Sequence, residues 1–237
     1  MTTLAGSVVL VTGANGGIGT QFVHDALARG AAKVYASARS PRYWEDERIV
    51  PLTLDVTDPP SVEAAAAQAA DVTVLVNNAG ALPPGASLLD VEVADIRATM
   101  EVNFFGPLLV ARAFAPALIA HGAGVLIDVH SVASWYHFGG AYSVSKAALW
   151  AATNSLRLEL APHGVLVTGV HMGYVDTAMA ADADGPKLTT EQLVAAVLDG
   201  VEAGETEVLA DELTVGTKAA LAGPLDALYP GSRPTTV

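Results

Sequence analysis

Short apolar runs recur along the whole chain, and helical stretches of about ten residues or more separate most of them. The runs are SVVLVT (7–12), KVYASA (33–38), IVPLTL (49–54), VTVLVN (72–77), GVLIDV (124–129) and GVLVTGV (164–170), with EVLA (207–210) as a short seventh. Most are rich in β-branched residues and do not alternate with polar ones, which is the pattern of strands buried on both faces. Strands of this kind alternating with helices predict an α/β fold of the Rossmann type: a doubly wound parallel sheet of about seven strands flanked by helices. No linker, repeat or low-complexity block interrupts the pattern, so 1–237 reads as a single domain, with a loose tail GSRPTTV at 231–237.

Two segments break the rule that a helix on a sheet needs one apolar stripe. GPLLVARAFAPALIA (106–120) and YSVSKAALWAATNSLRL (142–158) are apolar nearly all the way round. A second covering surface is therefore expected, either neighbouring helices or another subunit.

Composition narrows the function. The chain is half apolar and only 16% charged, so a packed core is expected. A formal net charge of −13 repels phosphates and argues against nucleic acid. There are no cysteines, and the six histidines lack metal-ligand spacing, so no disulfide, thiolate chemistry or metal is expected. The N-terminus has no basic region before its apolar run and reads as the first strand; no uninterrupted apolar stretch approaches 18 residues. The expected location is cytoplasmic, with no membrane partner.

Candidate chemistry begins at VLVTGANGGIG, which ends the first strand and opens the first helix. Gly13, Gly17 and Gly19, with Asn15, Gly16 and Ile18 among them, suit a tight turn whose backbone N–H groups meet a pyrophosphate at a helix N-terminus. The turn at Asn77, Asn78, Ala79 and Gly80 lies at a carboxyl end of the sheet, where ligands bind in such folds. Asp55, followed by Val56, lies within reach of an adenine; Asp58 is the expected cap of the helix that follows. Tyr142 and Lys146 are one helical turn apart and share a face.

In order and spacing, Thr12-Gly13-x-x-x-Gly17-x-Gly19, Asn77-Asn78-Ala79-Gly80 and Tyr142-x-x-x-Lys146 resemble the short-chain dehydrogenase/reductase family over nearly the whole chain. The resemblance implies an oxidoreductase interconverting a carbonyl compound and its alcohol. It makes Tyr142 the general acid/base, and Ser131 the hydroxyl that polarises the substrate oxygen. Lys146 lowers the tyrosine pKa and binds the nicotinamide ribose, and Asn103 supports a proton-relay water. Gly173, Val175 and Thr177 would close over the cofactor. Three residues depart from the family's usual ones: Asp128 stands where asparagine is common, His130 where a small residue is frequent, and Met172 where proline is usual. The resemblance also implies a homodimer or homotetramer formed by the two all-apolar helices.

The second strand ends at Ala38, where NAD-preferring relatives carry an acid, and Arg39 and Ser40 follow. An arginine there pairs with a 2′-phosphate, so NADP(H) is the expected cofactor and NAD(H) the alternative. Leu82, Ser134, Trp135, Tyr136, His137, Phe138, Met172 and Tyr174 are expected to wall the pocket beside Ser131, predicting a neutral, apolar or aromatic ketone or aldehyde. Two rival classes stand beside this reading: a dinucleotide-binding sensor or scaffold without turnover, and a serine acyl-transferring hydrolase using Ser143-x-x-Lys146. The second lacks its companion motifs.

Overall fold

The structure is a computed structural model that describes residues 3–137 and 139–229. Phe138 and the 231–237 tail lie outside the described residues. The elements in chain order are β1 (Val8–Thr12), α1 (Gly17–Ala28), β2 (Lys33–Ala38), β3 (Ile49–Thr53), α2 (Pro59–Gln68), β4 (Val74–Asn77), α3 (Val93–Met100), α4 (Gly106–His121), β5 (Val125–Val129), α5 (Gly140–Leu160), β6 (Leu166–His171), β7 (Tyr174–Val175), β8 (Lys187–Leu188), α6 (Thr190–Ala203), β9 (Glu207–Leu209), α7 (Glu212–Ala220) and α8 (Leu225–Leu228). Seven strands form one sheet in the order β3-β2-β1-β4-β5-β6-β9, parallel throughout. The second strand has the expected bounds, and the other six start or stop one or two residues away from where the apolar pattern places them. The pair β7 and β8, two residues each, is too short to show in that pattern.

Successive strand residues point to opposite faces, so each strand feeds two cores. Val9, Val11, Val34, Val74, Val76, Val125 and Ile127 pack with Phe22 and Val23 of α1 and Leu193, Val197 and Val201 of α6. Leu10, Tyr35, Leu52, Leu75, Leu126 and Val167 pack with Val62 of α2 and Val110, Phe114 and Leu118 of α4. This double burial is why the strands read as continuous apolar runs.

Helix α3 runs without a break into α4 through a π-helical turn, Glu101–Phe105. The joined run, Val93–His121, is long and apolar enough, by length and composition alone, to cross a membrane. Polar residues such as Arg97, Glu101 and Arg112 divide it in the sequence, which is why no such span was expected there. Here Val110, Phe114 and Leu118 are buried against the sheet. Apolar surface is left outside by α5, at Val144 and Leu158, and by the π-turn before α4, at Phe105.

β1 pairs with β2 on one side and β4 on the other. The connections that follow β1 and β4 therefore leave the sheet in opposite directions and open a crevice at the carboxyl ends of the strands.

Candidate active site

That crevice is a cleft of about 1210 Å³. One end is lined by Gly13, Asn15, Gly16, Gly17, Ile18, Gly19, Arg39, Ser40, Asp55 and Val56, and the middle by Asn78, Ala79, Gly80, Ser131, Tyr142 and Lys146. Leu82, Met172, Gly173, Tyr174, Val175 and Thr177 complete it from the loops after β4 and β6.

The glycine loop leaves no room for side chains. A Cβ on Gly19 would lie 2.3 Å from the Gly13 carbonyl oxygen, and one on Gly17 3.0 Å from Thr177 Cγ2. Gly13 has φ +66°, a conformation in which other residues are strained. By helix geometry the N–H groups of Gly17, Ile18 and Gly19 have no partner inside α1 and face the cleft end. Thr12 joins this loop to the neighbouring turn. Its Oγ1 accepts from Asn78 N at 2.9 Å and Ala79 N at 3.0 Å, and Asn78 Nδ2 donates back to Thr12 O at 2.8 Å. Pattern alone marks Thr12 only as a strand end; its clamping role needs β1 beside β4.

Asn15 Nδ2 donates to Ser40 O at 2.9 Å, which fixes the loop after β2 against the glycine turn. Arg39 stands exposed on this rim and makes no hydrogen bond or ion pair among the described residues. Asp55 turns its carboxylate inward to Thr57 N at 2.9 Å and Thr57 Oγ1 at 2.7 Å, and these bonds hold its pKa below the usual range. Asp58 occupies the N-cap of α2, but its side chain makes no capping bond.

At the centre, α5 presents Tyr142 and Lys146 on one face. The Ser131 hydroxyl hydrogen-bonds the Tyr142 phenol. Ser131 Oγ also accepts from Ala133 N at 3.2 Å, so the short 3-10 turn at Val132–Ser134 holds it. Lys146 is buried, donates from Nζ to Val129 O at 2.8 Å, and lies 5.8 Å from the centre of the Tyr142 ring. Asn103 is buried in the π-turn behind the cleft wall. Its Nδ2 donates to Ala81 O at 2.8 Å and Ser145 Oγ at 3.0 Å, and its Oδ1 accepts from Ala81 N at 2.8 Å. A Cβ on Gly80 would lie 3.4 Å from Asn103 Oδ1 and 3.9 Å from Lys146 Nζ, so both atoms approach the same glycine.

One expectation is not met here. The run Ser134 to His137 does not line the cleft. Trp135 is buried under the loop, stacked on His171 at 3.8 Å with its edge to Trp150; Tyr136 stacks on Tyr229 at 5.3 Å. Ser134 is buried, and His137 contributes a backbone N–H to Tyr229. Large rings on a short turn bury more surface against the domain than they would in an open cleft. The walls come instead from small and aliphatic residues that the pattern did not single out, Pro83 to Ala86 and Ala178 to Ala180 with Ala183. Burial pushes the Tyr142 phenol up to about 12, against the Ser131 bond, which pulls it down. Burial likewise brings Lys146 down to about 8, with Asp128 opposing the shift. One hydrogen of the ammonium goes to Val129 O.

The sequence pattern of the short chain dehydrogenases matches residues 7–187. The chain belongs to the short-chain dehydrogenase family. An NADPH-dependent 1-acyldihydroxyacetone phosphate reductase of Schizosaccharomyces pombe is 38% identical over 180 residues, covering 71% of this chain and 60% of the yeast protein's own length. A short-chain dehydrogenase from Burkholderia cenocepacia, solved with NADP, superposes with TM-score 0.90 at 38% identity and covers 96% of this chain and 98% of that one. One from Sphingobium yanoikuyae, solved with NADPH, gives TM-score 0.81 at 25% identity over 98% of each chain. In this short-chain dehydrogenase, a phenol held near 12 is protonated at neutral pH and can donate a proton to an oxygen placed between it and Ser131. Two of the three Lys146 ammonium hydrogens remain for other acceptors.

Proposed function

We propose that the chain is an NADP(H)-dependent oxidoreductase that interconverts an uncharged, apolar ketone or aldehyde and its alcohol. The observation that carries this reading is the Ser131–Tyr142 hydrogen bond with Lys146 beside it, in one cleft with the glycine cradle.

The cradle fits a dinucleotide. Close packing at Gly17 and Gly19 lets backbone approach a pyrophosphate, and the unpaired N–H groups of α1 supply donors. Arg39 on the rim meets a 2′-phosphate; Ala38 brings no acid to repel it. The NADP and NADPH complexes of the two superposed relatives, and the name of the yeast reductase, support the same choice. Reduction draws its hydride from the bound nicotinamide. Ser131 donates to the substrate oxygen and polarises the carbonyl. Tyr142 gives that oxygen its proton, and the Lys146 ammonium stabilises the phenolate left behind. Lys146 also binds ribose hydroxyls, and Asn103 supports proton return to the site. Oxidation runs the same steps backwards.

The far end of the cleft, Leu82 to Ala86 with Met172, Tyr174 and Met179, offers no lysine or arginine among the described residues. It suits an apolar group and has no clamp for a phosphate such as the one in the yeast reductase's name. The outer apolar surfaces of α4 and α5 pair with a second copy, giving a homodimer or homotetramer in the cytoplasm. The test is kcat/KM for a panel of apolar ketones, aldehydes and phosphorylated ketones with NADPH and NADH. NADPH-dependent reduction of the uncharged compounds is expected; no turnover, or a preference for phosphorylated ones, overturns the reading.

A further inference from the structure

Behind the site, on the face of β5 towards α4 and α5, lies a carboxylate that these steps do not use. Asp128 is fully buried. Its Oδ1 accepts from Asn77 Nδ2 at 2.9 Å, and its Oδ2 accepts from Thr153 Oγ1 at 2.7 Å. Asn77 Nδ2 also meets Pro107 O at 3.1 Å, so two acceptors converge on it and the amide cannot be reversed. The Thr153 hydroxyl also lies 2.9 Å from Leu149 O.

Both donors are neutral, and a buried carboxylate is costly unless a positive charge is near. The ion pairs among the described residues all lie elsewhere. Two cations flank Asp128 on α5. Lys146, Thr153 and Arg157 are spaced by seven and four residues, so they share one face of the helix. Lys146 Nζ is held on Val129 O, one residue along from Asp128, and Arg157 donates to Val167 O at 3.1 Å and Thr206 O at 2.9 Å. The other titratable groups nearby are Tyr142 on α5, His130 after β5 and His171 on β6. Burial keeps both imidazoles neutral. β4 brings the Asn77 amide, and α4 reaches Asp128 only through the Pro107 carbonyl on that amide.

We propose that Asp128 is the buried counter-ion of Lys146, a positioning residue that keeps the ammonium charged beside Tyr142 without touching it. The inference rests on the reading of Tyr142 and Lys146 as the proton-transfer pair. Burial alone lowers Lys146 and raises Asp128, and each charge opposes the shift of the other. Removing the Asp128 charge while keeping its shape therefore weakens the ammonium.

The test is Asp128→Asn in the full chain, with the Lys146 side-chain nitrogen followed by NMR across pH. The wild-type midpoint is expected near 8. In the variant it should fall by about one unit or more, and an unmoved midpoint overturns the proposal. Because the readout is the lysine itself, it does not depend on turnover. The alkaline limb of NADPH-dependent activity should follow the same shift. A lysine that moves while the activity limb stays put supports the counter-ion and refutes the role given to Lys146 in turnover. If the variant does not fold, the Asp128 carboxyl carbon in the wild-type chain decides: an ionised signal at pH 7 supports the proposal, and a protonated one overturns it.

Discussion

Tyr142 sits where a small change removes one function and leaves the shape. Tyr142→Phe deletes the proton and keeps the ring in the cleft wall. Loss of a positioned general acid costs about 10²–10⁴-fold in rate. The expected result is that drop in kcat with NADPH affinity, measured by fluorescence, about unchanged; a wild-type rate in the variant would sink the mechanism. Arg39 answers a different question, because it is exposed on the rim with no protein partner holding it. A charge-assisted hydrogen bond to a phosphate is worth roughly 1.5–3 kcal/mol. Arg39→Ala should therefore lower kcat/KM for NADPH by roughly tenfold to a hundredfold and change NADH much less. An unaltered cofactor ratio would remove Arg39 from the phosphate site. At this scale Tyr142, Lys146 and the glycines were legible because their spacing is local. Thr12 and Asp128 were not legible as partners of anything, because what they touch lies 25 to 67 residues away in the chain.

Among the elements, α7 ties the far edge of the sheet to the cleft. Asp211 caps it: Oδ1 accepts from Thr214 N at 2.8 Å, with Thr214 answering in a capping box. Its other oxygen accepts from Gly173 N at 2.6 Å, in the loop that follows β6 into the cleft. Asp211→Ala loses both bonds. A lost cap costs about 1 kcal/mol, and an unpaired N–H on a partly buried loop adds about 1–3 kcal/mol. Urea unfolding should show a loss of about 2–4 kcal/mol, with KM for NADPH raised. A variant as stable as wild type would show that the Gly173 bond carries nothing. The cap of α7 was not among the features the apolar pattern marked. Nor was the bond to Gly173, since it spans 38 residues. The π-turn at Glu101–Phe105 was equally invisible: its residues have ordinary helical spacing, and only the Asn103 bonds to Ala81 and Ser145 show what the extra residue in the turn serves.

For the whole molecule, the open question is what covers α4 and α5. Leu158 is 77% exposed and Val144 45%, both on α5, a helix that also packs against β6 and α4. Apolar surface of this kind gains about 25 cal/mol per Å² when covered. Light scattering at micromolar concentration should return the mass of two or four chains, and Leu158→Glu should shift it towards one. A wild-type mass near 24.2 kDa would refute the assembly.

The sequence by itself determined the layered fold, because seven runs buried on both faces have few alternatives to a parallel sheet between helices. It also picked out the glycine turn and the Tyr142–Lys146 pair that line the cleft, because each lies within one local element. Only the tertiary structure decided the walls and the charges. The run at 134–137 packs under its loop, with Trp135 buried, and the loops at 82–86 and 178–183 line the cleft instead. Burial shifts the pKa of both Tyr142 and Lys146, with Ser131 opposing it at the first and Asp128 at the second, and those are properties of packing that no spacing along the chain records.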